Sequence, residues 1–232
     1  MATQRESKEI QNKLLAFLDE SMKGNKEEAA KFAAGLKAAY DDSRIGKEVF
    51  ADLTIIKTLI EKGYTAVLTE FIKNKPEILG IQDANGYTGF IWAAKNGRTE
   101  TAKVCIDADK KVLEQKDKYG NTGFIWAAYN GHTETAKVCI DADKKVLEQK
   151  DNDGNIGFFW AACNGHTEIA KVCIAGDKKV LEQKDNDGYT GLFYAGQNEH
   201  KEIVECINKV TEEIQQQSDH ATQAINEIFR NK

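Results

Sequence analysis

Short apolar runs, each set between turn-forming residues, recur along most of the chain. Residues 124–128 read FIWAA, which predicts a short helix buried on most sides. This run follows the turn sequence DKYG at 117–120 and ends before Asn130-Gly131, where glycine suits a helix C-terminus. A second, amphipathic helix is predicted from Thr133. Its apolar side is supplied by Ala136, Val138, Cys139 and Ile140. The pattern therefore predicts a helix–turn–helix unit.

This unit is repeated in tandem with a period of 34 residues. Residues 83–116 and 117–150 differ at five positions, and a third copy fills 151–184. A fourth copy begins at Asp185 and diverges after Ala195. A more strongly diverged copy precedes the copy at 83–116. The predicted repeats are 49–82, 83–116, 117–150, 151–184 and 185–210. Because one unit cannot bury both of its helices, we expect neighbouring units to stack into a solenoid.

The segments on either side of the array are predicted to cap it. Residues 1–48 carry two helical patterns and form the predicted N-terminal helical cap, with a further diverged repeat as the alternative. Residues 211–232 form the predicted C-terminal capping helix. End caps that keep a solenoid soluble are preferred here over a docking helix.

The third copy carries a set of residues at fixed spacing that points to a family. The set consists of Asp151, Gly154, Ala161, Ala162, Gly165, His166 and Glu168. In this set the chain resembles the ankyrin repeat. It departs from the family tetrapeptide Thr-Pro-Leu-His, because glycine replaces the proline at 89, 123, 157 and 191 and apolar residues replace the histidine. The resemblance implies an all-α, helix-turn-helix solenoid with helical caps at both ends, and a role in binding other proteins.

Repetition also arranges side chains in columns. An aromatic column, predicted to point inward, consists of Trp92, Trp126, Trp160 and Tyr194. A thiol column, predicted to be buried and unpaired, consists of Cys105, Cys139 and Cys173. Stacked helices lie about 8–10 Å apart, whereas a disulfide requires Cα atoms within about 7 Å. Cys163 lies outside this column and is expected to be more exposed.

The candidate catalytic and metal-binding patterns are incomplete. His132, His166 and His200 repeat because the unit is duplicated, and His132-x-Glu134 lacks the Pro-Cys-x-x-Cys of a zinc deaminase. The acidic turn at 151–155 lacks the glycine and glutamate positions of a calcium loop. A repeated array gives each group the same neighbours, whereas catalysis needs one converging set of residues. We therefore predict a non-enzymatic protein with no metal and no cofactor.

Composition and charge narrow the classes of partner. A net charge of −5 and a pI near 5.5 disfavour nucleic acid, and no apolar run approaches the roughly 18 residues of a membrane span. Five cysteines, an odd number without a Cys-x-x-Cys pair, favour free thiols and therefore a reducing compartment. The charged N-terminus lacks the apolar core of a secretion signal, which disfavours export. We expect a cytoplasmic monomer whose partner is another protein, with self-association as an alternative.

The positions at which near-identical repeats differ indicate the binding surface. Four of the five differences between the first two clear copies fall on the turn tip or at the end of the first helix, which the family resemblance places on the concave face. Outer positions such as Lys103 and Lys137 stay fixed. The predicted partner-binding residues are Tyr87, Lys95, Lys118, Tyr119, Asn121, Tyr129, Asn152, Asp153, Asn155, Asp187 and Tyr189. Tyr119 and Tyr129 are the predicted centre of binding. A scaffold, or an inhibitor that occludes a partner enzyme, is the alternative function.

Overall fold

The structure, a computed structural model, describes residues 53–74 and 76–230. This part of the chain holds ten α-helices and no strand. The first helices of successive units are α1 Leu53–Lys62, α3 Gly89–Lys95, α5 Gly123–Tyr129, α7 Gly157–Cys163 and α9 Gly191–Gln197. The second helices are α2 Thr65–Asn74, α4 Thr99–Ala108, α6 Thr133–Ala142, α8 Thr167–Gly176 and α10 Lys201–Arg230. Short 3₁₀ helices lie at Pro76–Gly80, Lys110–Glu114, Lys144–Glu148 and Lys178–Leu181. The predicted all-α, helix-turn-helix solenoid is confirmed.

The helices pack in two layers that follow chain order. Each first helix contacts the first helices of the neighbouring units as well as its own second helix, and the second helices contact one another. The apolar core runs between the layers without interruption. Its largest fully buried side chains include Phe90, Phe124 and Phe158, one from each of three successive units. The interior of each unit is therefore completed by its neighbours.

Local hydrogen bonds and one glycine set where the helices of each unit begin and end. The Thr122 hydroxyl accepts a hydrogen bond from the backbone N–H of Ile125 at 3.4 Å and so caps α5. Gly131 has a φ of 78° and ends the helix in the left-handed region. The Asp143 side chain then accepts from the backbone N–H of Lys145 at 3.0 Å and starts the next 3₁₀ helix. These three residues define the boundaries of the unit.

The glycine that replaces the family proline fits a phenylalanine of the preceding unit. A Cβ placed on Gly123 would lie 2.4 Å from Cε1 of Phe90, and a Cβ on Gly157 would lie 2.5 Å from Cε1 of Phe124. Gly89 faces the smaller Ile56, whose Cγ2 would lie 3.2 Å away. At positions 123 and 157 the absence of a side chain therefore leaves room for the phenylalanine ring of the preceding unit.

The repeated histidines join neighbouring units. Nε2 of His132 donates to the backbone carbonyl of Lys95 at 3.0 Å, and the equivalent bonds of His166 and His200 have the same length. The ring of His132 packs over Gly97, where a Cβ would lie 2.6 Å from Nδ1. This contact assigns the histidine column a structural role between repeats.

The last helix is much longer than the other second helices. Helix α10 has 30 residues where α4, α6 and α8 have 10 each, so the predicted boundary at 211 falls inside a continuous helix. Ile203 and Ile207 are buried, whereas residues 211–223 are exposed apart from the half-buried Ile214. No helix in the described ranges is both long and apolar enough to span a membrane. The predicted cap over 1–48 lies outside the described residues.

Candidate functional site

The aspartate at the start of each unit organises the turn tip. Oδ1 of Asp117 accepts from the backbone N–H groups of Tyr119 at 2.8 Å and Asn121 at 2.9 Å. Oδ2 of the same carboxylate accepts from Nε1 of Trp126 at 2.8 Å. The equivalent pairs are Asp83–Trp92, Asp151–Trp160 and Asp185–Tyr194. One carboxylate therefore fixes both the turn and the aromatic ring beside it.

Hydrogen bonds between backbones join the turn tips into a row. The N–H of Lys118 donates to the carbonyl of Asn85 at 3.0 Å, and the N–H of Asn152 donates to the carbonyl of Tyr119 at 3.0 Å. The N–H of Asn186 donates to the carbonyl of Asp153, also at 3.0 Å. The tips and the exposed sides of α3, α5, α7 and α9 form one surface, called the tip face below. Its side chains are held on a hydrogen-bonded frame.

The tryptophans lie at the tip face. Trp92, Trp126 and Trp160 are half-buried, and the fully buried positions are those of Phe90, Phe124 and Phe158. The prediction that the tryptophan column points into the core is therefore wrong. The physical reason is the indole N–H, which needs an acceptor when it leaves water and finds one in the turn aspartate. An aspartate nine residues before each tryptophan is the sequence signal for this arrangement.

The aromatic rings of successive units contact one another along the tip face. Tyr87 lies edge-on to Trp92 and to Trp126, with ring centroids 5.4 and 5.7 Å apart. Tyr129 lies edge-on to Trp126 at 5.6 Å and to Trp160 at 5.1 Å. These are favourable geometries for aromatic pairs, so the five rings stabilise one another as a continuous row.

A lysine completes the row at the first clear junction. Nζ of Lys95 lies 3.4 Å from the centre of the Trp126 ring and 3.3 Å from the Tyr87 hydroxyl. Burial lowers the pKa of Lys95, and the charges of Asp117 and Asp83 oppose this effect. Burial raises the pKa of Tyr87, and the same two carboxylates add to the effect. The short distances show that the ammonium group of Lys95 lies over the face of the Trp126 ring and donates a hydrogen bond to the Tyr87 hydroxyl.

The predicted partner-binding residues fall into three groups by accessibility. The exposed group consists of Lys118, Tyr119, Tyr129, Asn152, Asp153, Asp187 and Tyr189. The half-buried group consists of Lys95 and Asn121. Tyr87 and Asn155 are only 8% and 9% exposed, which corrects the expectation that they lie open on the turn tip. Tyr87 is enclosed between two indoles, and Nδ2 of Asn155 donates to Oδ2 of Asp151 at 3.3 Å.

Two exposed side chains of the tip face were missed by the sequence analysis. Leu192 and Phe193 are 39% and 37% exposed, although their counterparts in earlier repeats are buried. The ring of Tyr189 stacks on Phe193 with centroids 4.0 Å apart. The available signal was the sequence after Ala195, which diverges from the repeat: within the described residues no further first helix follows α9 to cover these side chains.

The three thiols of the column are buried and unpaired, as predicted. Burial raises the pKa of Cys105, Cys139 and Cys173 to about 12. Cys163 is half-buried, and so is Cys206. Since the thiolate is the reactive form, the buried column is protected both sterically and electrostatically.

We expect brief alkylation at neutral pH to modify Cys163 and Cys206 and to spare the three column thiols. The physical basis is the difference in exposure together with the raised pKa of the buried group. Peptide mass spectrometry after a short iodoacetamide pulse measures the order of labelling. All five thiols should react in urea, and equal labelling of all five in the native protein would contradict the assigned helix faces.

No cluster of three or more His, Cys, Asp or Glu side chains that could hold a metal ion occurs within the described ranges. The histidines of the repeats are instead bonded to backbone carbonyls, and the turn aspartates accept from backbone and ring N–H groups. These groups are committed to the fold.

Comparison with known families agrees with this architecture. The family model for ankyrin repeats (3 copies) matches residues 51–149 and 124–218. The chain belongs to the ankyrin-repeat family. No curated protein gives a significant match to this ankyrin-repeat chain. Ankyrin repeats are in general protein–protein interaction modules and are typically non-enzymatic.

Proposed function

We propose that this ankyrin-repeat protein binds another protein through the tip face. The observation that carries the proposal is the exposure of three tyrosines on one hydrogen-bonded surface: Tyr119 is 55%, Tyr129 41% and Tyr189 42% exposed. Tyrosine offers a large contact area and a polar group, and it has few rotamers to immobilise on binding. A row of such side chains on a rigid frame suits protein recognition.

The opposite surface has a different character. The second helices present ion pairs to solvent, such as Lys137–Glu134 at 2.7 Å and Lys171–Glu202 at 3.0 Å. Exposed ion pairs of this kind contribute little to stability and are ordinary for a solvated helix face. The contrast supports the tip face as the binding surface.

Charge is ordered along the tip face. Lys95 and Lys118 lie on the early repeats, and the exposed Asp153 and Asp187 lie on the late ones. A partner with acidic groups at one end and basic groups at the other would be oriented by this arrangement. Such complementarity acts mainly on the rate and specificity of association. We therefore expect binding in one direction along the array.

The test is a double variant at the predicted centre, Tyr119→Ala with Tyr129→Ala. Capture of the partner from native lysate is expected to fall at least about tenfold, equivalent to about 1.4 kcal/mol. The reason is that interface energy concentrates in central aromatic side chains. Quantitative mass spectrometry of captured proteins measures the effect, and circular dichroism should show unchanged helicity.

The matched control reverses charge on the opposite surface, Lys103→Glu with Lys137→Glu. This variant should capture the partner as the parent does, because both lysines belong to second helices. If the tyrosine variant binds normally while the lysine variant does not, the proposed surface is wrong. Assaying the captured partner for enzymatic activity, with and without this protein, then distinguishes simple binding or scaffolding from inhibition.

A further inference from the structure

The three junctions along the tip face differ in how the earlier repeat covers the aromatic ring of the later one. At the first, Tyr87 and Lys95 both contact Trp126, at 5.7 Å between ring centroids and 3.4 Å from Nζ to the ring centre. At the second, Asn121 takes the tyrosine position and Tyr129 contacts Trp160 at 5.1 Å. At these two junctions the side chain at the end of the first helix covers the ring.

The third junction has small side chains at both covering positions. Asn155 and Cys163 occupy them, and the ring itself is Tyr194 instead of tryptophan. A cavity of about 50 Å³ results, lined by Asn155, Phe159, Trp160, Cys163 and Tyr194. This cavity is called the junction pocket. It lies where Lys95 and Tyr129 would lie if the pattern of the first two junctions continued.

Charge around the junction pocket favours a cation. The Tyr194 hydroxyl donates to Oδ2 of Asp185, which increases electron density on the phenol ring, and Trp160 donates to Asp151 at 3.0 Å. Asp153 and Asp187 are exposed on the adjoining turn tips. None of the five lining residues carries a positive charge. A cation here would lie beside the rings of Trp160 and Tyr194, each of which donates a hydrogen bond to a carboxylate. The ammonium group of Lys95 lies over Trp126, whose indole N–H also donates to a carboxylate.

We propose that the junction pocket receives the ammonium group of a lysine side chain from the bound protein, in the position that Lys95 holds over Trp126. The proposal rests on the proposed function of the tip face and names the chemistry of its partner: a segment with a lysine opposite the third junction. An ammonium group fits this space, and the ammonium group of Lys95 already occupies the equivalent position at the first junction. Exposed carboxylates on both flanking tips favour a basic segment around that lysine.

The first arm of the test uses Nα-acetyl-lysine N-methylamide as the probe and the neutral norleucine derivative as its isostere. The indole N–H groups of the three tryptophans give separate nuclear magnetic resonance signals, which single Trp→Phe variants assign. At low ionic strength and millimolar concentration, we expect the lysine probe to shift the Trp160 signal saturably and the norleucine probe to leave it unchanged. Equal responses to both probes, or equal shifts of all three indoles, would overturn the proposal.

The second arm fills the pocket from within. Cys163→Lys places a lysine where Lys95 stands at the first junction, so this variant should lose the response of Trp160 to the probe. Gln197→Lys is the matched control, because it adds the same charge in the same column at a residue that does not line the pocket. This control should respond as the parent does. A Cys163→Lys variant that still responds like the parent would show that the probe binds elsewhere.

The third arm separates the pocket from the wider proposal. Capture of the partner from native lysate should fall at least about fivefold for Cys163→Lys and remain at the parental level for Gln197→Lys. If the pocket binds the lysine probe but Cys163→Lys captures normally, the assignment to a partner lysine is wrong. If Cys163→Lys loses capture while the Tyr119/Tyr129 variant keeps it, the proposed centre of binding fails and the pocket stands.

Discussion

Replacing Gly123 with alanine is expected to lower the free energy of unfolding by about 2–3 kcal/mol, although this exchange normally stabilises a helix. The added methyl group would lie 2.4 Å from Cε1 of Phe90. Phe90 is fully buried between two layers of helices, so its ring has no free space to move into. Urea unfolding followed by circular dichroism measures the loss.

Two further variants isolate the cause. Gly89→Ala makes the same change at the same position of the preceding unit, where the methyl group would meet Cγ2 of Ile56 at 3.2 Å. Its effect should stay within about 1 kcal/mol. Phe90→Leu combined with Gly123→Ala should recover most of the loss, giving a large coupling term in a double-mutant cycle. Equal effects of Gly89→Ala and Gly123→Ala would show that the contact with the Phe90 ring does not explain the result.

The helical unit was predictable because its signals are local. The apolar run of α5, the cap at Thr122 and the stop at Gly131 all act within one repeat, and the period makes each signal visible several times. The pairing of Gly123 with Phe90 was not predictable in this way. It joins residues of different repeats, and no property of either residue alone shows the close approach.

The position of the tryptophans shows where hydrophobic pattern is an incomplete guide. A hydrophobic pattern counts tryptophan and phenylalanine as equally apolar. Only the indole, however, carries an N–H group that needs a hydrogen-bond acceptor when it is buried. In this chain the acceptor is the aspartate nine residues earlier, so Trp126 stays at the surface while Phe124 enters the core. The difference between the two residues is one hydrogen-bond donor.

The solvent exposure of the candidate site residues could be predicted at some equivalent positions of the repeats and not at others. Tyr119 and Asp153 occupy the second tip position after the turn aspartate, and both are exposed. The column of Tyr87 and Tyr189 contains one buried and one exposed tyrosine, because only Tyr87 is followed by a unit whose ring encloses it. Exposure in that column depends on the next repeat, which a single unit does not encode. The role of these residues in binding stays a prediction.

Replacing Asp117 with alanine is the second large effect that we expect, a loss of about 2–3 kcal/mol in the free energy of unfolding. The carboxylate accepts from the backbone N–H groups of Tyr119 and Asn121 and from the indole N–H of Trp126, within 2.8–2.9 Å. Asp117 is itself buried, so water replaces these bonds poorly. Denaturant unfolding at neutral pH measures the loss.

Asp153→Ala is the matched control for Asp117→Ala, because it removes the same charge from an exposed position on the next turn tip. Its effect should lie within about 0.5 kcal/mol. Trp126→Phe then separates the contribution of the indole bond from that of the turn bonds. It removes the indole donor and leaves the two backbone bonds of Asp117 in place, so it should lower the free energy of unfolding by less than Asp117→Ala does. If Asp117→Ala and Asp153→Ala are equally mild, net charge accounts for both and the carboxylate does not hold the turn. If Trp126→Phe costs as much as Asp117→Ala, the bond to the ring carries the stability, and the turn tip would form without its aspartate.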